Sequence, residues 1–262
     1  MMASANSSAT TLYGFTPLPA AASALKPATQ SPARVPIASI PAPDSALVQR
    51  ITAYARSKLS ADTFAHSMRV YHYGLAIAAQ CFPDWNVSAG SPLAETWFLT
   101  AILHDIGTAD GFLDGTRLSF EFWGGMHAHR ILLQPELTTS STAEKEGETA
   151  AAGQQAIARV EQAESVMEAI FRHQDIQDKG QVTTMTQLIQ LATILDNVGG
   201  NAELVNRETI EEVVQQWPRT GWSGCFKAVL ERETTIKPWA MVSRIEGFAD
   251  MIMNNKTMKE WE

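Results

Sequence analysis

Cysteine is scarce in this chain: only Cys81 and Cys225 occur in 262 residues. Two thiols cannot build a disulfide scaffold, so the scarcity indicates a reducing compartment, and we expect a cytoplasmic protein. Long apolar runs are missing as well, since none approaches the roughly 18 residues that a membrane-spanning helix needs. These absences argue against a secreted disulfide-rich protein and against a membrane protein.

Clustered positive charge is also lacking. The 20 Lys and Arg are outnumbered by 28 Asp and Glu, which gives a formal net charge of −8, and no basic cluster exceeds two residues. Such a surface suits neither nucleic acid nor an anionic membrane. Hydrophobic residues make up 45% of the chain and charged residues 18%, which is typical of a soluble protein with one well-buried domain.

The first 43 residues contain no Asp or Glu and are rich in Ala, Ser and Pro. Their only charged side chains are Lys26 and Arg34. A segment of this composition buries too little apolar surface to offset the entropy that ordering it costs. The sequence therefore predicts a disordered segment over residues 1–43 and a folded domain over residues 44–262.

From Asp44 onward the apolar residues recur with the period of an α-helix, and no run of alternating polarity indicates a strand. We expect the helix that contains "LTAILHD" to end at Gly107. The helix that contains "FEFWGGMHAHR" is predicted to be interrupted at Gly124 and Gly125. The overall expectation is a single all-α domain of about seven to nine helices.

Several ionisable side chains lie on these otherwise apolar helices. They are His66, the adjacent pair His104 and Asp105, His173, and Asp196. A buried carboxylate without a partner costs several kcal/mol, so Asp196 needs a cation or several donors near it. Adjacent helical residues point about 100° apart, so His104 and Asp105 can share an ion only near a loosened helix end. The set predicts a metal site in the core of a helical bundle.

Each of these residues also has a structural explanation when taken singly. His66 alone is explained as a hydrogen-bonded buried histidine, and Asp196 alone as a helix C-terminal turn residue. Together they follow the order His, His-Asp, Asp, which is the pattern of the HD-domain metal-dependent hydrolases. The joint pattern favours the metal site, and two imidazoles with two carboxylates suit Zn²⁺, Fe²⁺, Mn²⁺ or Ni²⁺.

A closer resemblance rests on seven blocks of the sequence: "LSADTFAHSMRVYHYG", "AILHDIGTADGF", "RLSFEFWGG", "IFRHQDI", "QLIQLATILDNVG", "PRTGWSGCFKAVLERE" and "KPW". These blocks resemble the fungal cyanamide hydratase family, a branch of the HD-domain enzymes. The resemblance implies a zinc-dependent HD-domain helical bundle that adds water to the nitrile of cyanamide and forms urea. It also implies four metal ligands, which are His66, His104, Asp105 and Asp196.

The resemblance places Glu121 and His173 near the reacting atoms, and we predict both as catalytic residues. A metal-activated water would attack the nitrile carbon, and one of the two would protonate the nitrile nitrogen while the other orients the water or the amino group. Glu121 has a plain alternative as an exposed helix carboxylate, but its aromatic neighbours favour the site. Neither cysteine is needed as a nucleophile.

Two features depart from the family pattern. His127 and His129 follow the "FWGG" block, where family histidines are not expected. Residues two apart on a helix point to nearly opposite faces, so at most one of them can face a second metal, and we interpret both as surface or local residues. The polar stretch from Thr138 to Gly153 predicts a solvated loop that is longer than in the family.

Three other functions remain open at this level. An HD phosphohydrolase acting on a nucleotide or another phosphate ester would need cationic groups at its pocket, for which Arg69 and Arg172 are candidates. Another small nitrile or an isocyanide would be hydrated by the same residues. A non-catalytic scaffold would use the metal only to stabilise its core. The predicted partner is a small-molecule nitrile, and a homo-oligomer is left open.

Overall fold

α-Helices make up most of the described chain, which covers residues 11–138 and 156–262 of this computed structural model. The nine helices within these ranges are α1 (Ala46–Lys58), α2 (Ala61–Cys81), α3 (Pro92–Leu103), α4 (Phe120–Leu133), α5 (Val160–Arg172), α6 (Thr184–Val198), α7 (Arg207–Gln216), α8 (Trp222–Ile236) and α9 (Phe248–Met253). A small antiparallel sheet pairs β1 (Pro17–Pro19) with β2 (Gln181–Thr183). The predicted all-α fold is confirmed, whereas the predicted loop lies outside the described residues except for Thr138.

The helices begin where the sequence offers a capping side chain. The hydroxyl of Ser60 accepts a hydrogen bond from the N–H of Thr63 at the start of α2. Ser91 does the same for the N–H of Ala94 at the start of α3, where Pro92 is the first helical residue. These bonds satisfy N–H groups that have no partner within the first helical turn.

Helices α2, α3 and α6 contact one another at the centre of the bundle. Val70 of α2, Leu99 of α3 and Leu188 of α6 are completely buried, and burial of each such side chain contributes about 1.5–3 kcal/mol. A helix that is buried on all sides places its polar residues in the core as well. Among the described residues, no helix combines the length and apolarity that crossing a membrane requires.

Residues 11–43 run along the helical domain and are held by contacts with it. Strand β1 pairs with β2, and the N–H of Ala28 donates to the carbonyl oxygen of Cys81 at 2.7 Å. Val35 and Ile40 are buried in the main hydrophobic core. The predicted disorder of this segment is therefore corrected for these residues, because tertiary contacts offset an ordering cost that composition alone leaves uncompensated.

Helix α4 runs without a break through Gly124 and Gly125, where the sequence predicted an interruption. The two glycines permit close packing instead. A β-carbon on Gly125 would lie 2.5 Å from the Phe171 ring of α5, and one on Gly124 would lie 3.1 Å from the main-chain nitrogen of Gly107. The missing side chains thus let α4 approach α5 and the turn that precedes α4.

We expect Gly125→Ala to lower the free energy of unfolding by about 1–2 kcal/mol, because overpacking against Phe171 outweighs the better helix propensity of alanine. The matched control is Gly224→Ala in α8, where an added β-carbon meets no atom within 4 Å. This control should gain up to about 1 kcal/mol. Guanidinium chloride unfolding of both variants measures the difference, and equal effects would contradict the packing role of Gly125.

Candidate metal centre

Three ligand-type side chains converge where α2 passes the end of α3. His66 lies within α2, and His104 and Asp105 directly follow α3. The Nε2 atoms of His66 and His104 are 3.2 Å apart. The Oδ2 atom of Asp105 lies 3.2 Å from His104 Nε2 and 3.6 Å from His66 Nε2. All three side chains are buried, and their ligand atoms lie within 4.8 Å of one another, so the group can hold a metal ion.

A hydrogen bond fixes the second ring nitrogen of each of these imidazoles. His66 Nδ1 donates to Oδ2 of Asp196 at 2.6 Å, and His104 Nδ1 donates to the carbonyl oxygen of Ala101 at 2.8 Å. Because both partners are acceptors, the Nδ1 atoms carry protons, so each ring in its neutral form directs its Nε2 lone pair into the site. Metal-binding histidines are oriented in this way by their outer partners.

The converging atoms favour a positive charge between them. Both oxygens of Asp105 are buried, and neither accepts a hydrogen bond from a described residue. Burial alone would raise the pKa of the Asp105 carboxyl, but the His104 imidazole holds it well below its usual range. Burial would lower the pKa of His104, yet the Asp105 carboxylate raises it. The site thus stabilises a cation, either a proton or a metal ion.

Asp196 lies behind His66 and outside the convergent group. Its Oδ1 and Oδ2 atoms accept hydrogen bonds from Nε and Nη2 of Arg69 at 2.9 and 2.8 Å, and Oδ2 also accepts the bond from His66. Burial opposes ionisation, but the Arg69 charge holds the pKa of the Asp196 carboxyl far below its usual range. The cation that the sequence required beside Asp196 is therefore a guanidinium. Direct metal ligation by Asp196 stays a prediction.

Glu121 and His173 lie beside the convergent group. Nε2 of His173 is 3.7 Å from Oδ1 of Asp105, and its Nδ1 donates to the carbonyl oxygen of Ile170 at 2.8 Å. Glu121 is buried in the first turn of α4, and neither of its oxygens has a hydrogen-bond partner among the described residues. Burial raises the pKa of its carboxyl to about 7, and the charge of Glu233 adds to this rise. The alternative of an exposed carboxylate does not hold.

The end of α3 brings His104 and Asp105 together, but the helix ends earlier than the sequence predicted. The helix ends at Leu103, and Asp105 already leaves helical geometry with φ −100° and ψ 13°, before Gly107 is reached. Gly107 has a different role. A β-carbon on it would lie 2.1 Å from the carbonyl oxygen of Phe120, so the glycine lets α4 start against this turn and sets the position of Glu121.

Aromatic and cationic residues of the "PRTGWSGCFKAVLERE" block cover the site, and no pattern in the sequence singles them out. The Trp222 ring stacks on the His66 ring with centroids 4.2 Å apart, and Phe226 stacks on Trp222 at 5.2 Å. Nη2 of Arg219 donates to the main-chain oxygen of Asp196 at 2.8 Å. The presence of an Arg and a Trp in one short block is the only signal in the sequence, because their contacts depend on tertiary structure.

His127 and His129 lie on α4 away from the convergent group. His127 Nε2 is 2.6 Å from the Tyr54 hydroxyl oxygen, and its ring stacks on Trp123 at a centroid distance of 4.6 Å. Both histidines are partly buried. Among the described residues, neither belongs to a group of ligands that could hold a metal ion. Their interpretation as local residues agrees with this placement.

Known proteins resemble this chain over nearly its whole length. Two curated proteins of Saccharomyces cerevisiae, cyanamide hydratase DDI2 and cyanamide hydratase DDI3, are each 34% identical to it over 244 residues. The alignment covers 93% of this chain and 96% of each relative. No protein-family model matches the chain. At this identity and coverage, the chain belongs to the cyanamide hydratase family.

Proposed function

We propose that this protein hydrates cyanamide to urea with the help of a bound zinc ion. The observation that carries the proposal is the buried convergence of His66, His104 and Asp105, whose acceptor atoms face one another without donors. Its family relatives are named cyanamide hydratases. Hydration of another small nitrile or of an isocyanide would use the same residues and is the nearest alternative.

The donor set fits zinc. Tetrahedral ligands about 2.0–2.1 Å from zinc are about 3.3 Å from one another, and the three separations here are 3.2, 3.2 and 3.6 Å. Catalytic zinc sites have three protein ligands and one position for water or substrate. His66, His104 and Asp105 would hold the ion, which as a Lewis acid lowers the pKa of a bound water to about 7. Asp196 would orient His66 through Nδ1.

Proton transfer falls to Glu121 and His173. Hydration of cyanamide forms a C–O bond at the nitrile carbon and moves two protons from water to the former nitrile nitrogen. Since the pKa of Glu121 is raised to about 7, a large share of its carboxyl is protonated near neutral pH and can donate to that nitrogen. His173 has a free acceptor at Nε2, because Nδ1 donates to Ile170, and it can accept a proton from the attacking water.

A phosphohydrolase is supported less well, because both candidate cations are already engaged. Arg69 is buried and bound to Asp196 through two hydrogen bonds. Arg172 is partly exposed and lies 3.6 Å from a carboxylate oxygen of Glu168 and 3.8 Å from one of Asp175. Both guanidinium groups therefore already have carboxylate partners. A purely structural metal site would not need Glu121, whose buried carboxyl without a partner costs stability.

We also propose a cytoplasmic location. Cys81 and Cys225 are both free thiols in the structure, and Cys81 is buried. Two unpaired cysteines in a folded domain suit a reducing compartment.

Purified, zinc-loaded protein should release urea from cyanamide, because the site supplies both a metal position and proton-transfer groups. Urea and free phosphate are measured in parallel, the latter over a panel of nucleotides, and we expect urea without phosphate release. A folded, zinc-loaded protein that forms no urea would overturn the proposed function. Release of phosphate instead would favour the phosphohydrolase.

Replacement of a ligand should remove the metal. We expect His104→Ala and Asp105→Ala to lose most of the bound zinc, and His129→Ala, which lies on α4 outside the ligand group, to retain it. Elemental analysis of the three variants with the wild type gives the stoichiometry. Zinc at 100 times its dissociation constant stabilises a fold by about 2.7 kcal/mol, so chelation should also lower the melting temperature of the wild type. Full zinc occupancy in Asp105→Ala would contradict this ligand set.

Glu121→Gln should lower kcat by about 10²–10⁴-fold, because it removes the proton donor and keeps the shape of the side chain. The same change should stabilise chelator-treated protein at alkaline pH. The carboxyl pKa is about 7 in the folded protein and 4.5 in an unfolded chain, so this contribution to wild-type stability is complete below pH 4.5 and is lost as pH rises through 7.

The free energy of unfolding of the variant should exceed that of the wild type by about 3 kcal/mol above pH 7. Thermal unfolding of both proteins between pH 5 and 8 measures it. Parallel pH profiles for the two proteins would show that Glu121 is ionised without cost.

A further inference from the structure

A cavity of about 190 Å³ adjoins the candidate metal centre on the side of His173. Its walls come from α6, from the segment that follows α5, and from the segment around α9. His173 belongs both to this wall and to the site, because its Nε2 atom is 3.7 Å from Asp105. A compartment that borders the reacting groups is where an enzyme binds the non-reacting part of its substrate.

The cavity is larger and more apolar than cyanamide requires. Cyanamide has three heavy atoms, roughly the volume share of two to three water molecules. The apolar part of the wall consists of Ile176, Ile194, Val198, Ile245, Phe248 and Met251. Contact of an amino group with this wall does not strengthen binding, whereas each methylene buried against it raises the affinity about fourfold. The wall therefore suits a short hydrocarbon chain.

One polar atom of the wall also lacks a partner. Gln174 is 6% exposed and lines the cavity, and its Oε1 atom accepts no hydrogen bond from a described residue. A buried acceptor without a donor costs about 1–3 kcal/mol, so the atom points to a donor on the ligand. An N–H group that carries a short alkyl chain satisfies both the amide oxygen and the apolar wall.

We propose that the cavity binds an alkyl substituent on the amino nitrogen, and that mono-N-alkylcyanamides with about three or four carbons are substrates. The inference rests on the proposed function. In the reaction R–NH–C≡N + H₂O → R–NH–CO–NH₂, the water oxygen bonds to the nitrile carbon and both water protons reach the former nitrile nitrogen. The bond between nitrogen and the alkyl group stays intact, and the substrate N–H donates to Gln174.

The zinc-loaded full chain is assayed with cyanamide and with N-butylcyanamide, and urea and N-butylurea are quantified. We expect both to be hydrated, with a KM for N-butylcyanamide at least tenfold lower. Turnover of cyanamide alone overturns the role of the cavity and leaves the proposed function standing. Turnover of N-butylcyanamide alone supports the cavity and overturns cyanamide as the substrate, and turnover of neither overturns both.

Two variants of α9 form a matched pair. Met251 lines the cavity and Met253 does not, and both are partly exposed, by 42% and 52%. Met251→Trp should lower the ratio of kcat/KM for N-butylcyanamide to that for cyanamide at least tenfold, and Met253→Trp should leave this ratio unchanged. Equal ratios in the two variants would overturn the assignment. If Met251→Trp does not fold, Val198→Phe narrows the same wall.

Binding gives a readout that does not depend on turnover. Calorimetric titration of chelator-treated wild type should show N-butylurea binding at least tenfold more tightly than urea, because three or four methylenes become buried. Met251→Trp should remove this preference, and Met253→Trp should keep it. Equal affinities of the wild type for the two ureas would exclude an alkyl-binding cavity.

Discussion

The carboxylate of Asp196 holds the centre of the molecule together. It accepts hydrogen bonds from Arg69 and from His66, which lie one helical turn apart on α2, while Asp196 itself belongs to α6. Removal of one member would leave a buried charge without its partner, at a cost of about 3–5 kcal/mol. The same contacts hold the His66 ring in one orientation, so the interaction that joins two helices also prepares the site.

Near this interaction, several buried acceptor atoms have no donor among the described residues. Asp105 and the imidazole of His173 present unpaired atoms to the same buried space, and Glu121 adds an unpaired carboxyl. In an apolar protein interior such a set is costly, and binding of a cation offsets that cost. The unpaired atoms thus lower the stability of the folded protein until a cation binds to them. Functional sites commonly carry destabilising features of this kind.

The sequence predicts the site best at ionisable residues that lie on apolar, buried helices. An ionisable group on an apolar helix must find a partner, and this reasoning brought His66, His104 and Asp105 together and required a cation beside Asp196. It could not show that Arg69 supplies this cation, because a pattern of helix faces does not fix which side chains meet across helices. Whether Asp196 also ligates the metal depends on differences of a few ångströms that no spacing in the sequence encodes.

The glycines and residues 11–43 show that the sequence also predicts backbone packing incompletely. The sequence predicts that Gly107, Gly124 and Gly125 end or interrupt helices, but close packing of neighbouring elements explains them in the structure. Residues 11–43 have a composition typical of disorder, and only contacts with distant elements order them. Local propensity is a weak predictor wherever tertiary packing supplies several kcal/mol.

The attachment of residues 11–43 has a consequence for the timing of folding. The Ser165 hydroxyl donates to the main-chain oxygen of Tyr13 across 152 residues of sequence, and β1 pairs with β2 beyond that point. During synthesis Tyr13 and β1 lack these partners until α5 and β2 have left the ribosome. Loop closure over such distances is slow, so the docking of Tyr13 and β1 belongs to a late step of folding, after α2 and α3 can already have met.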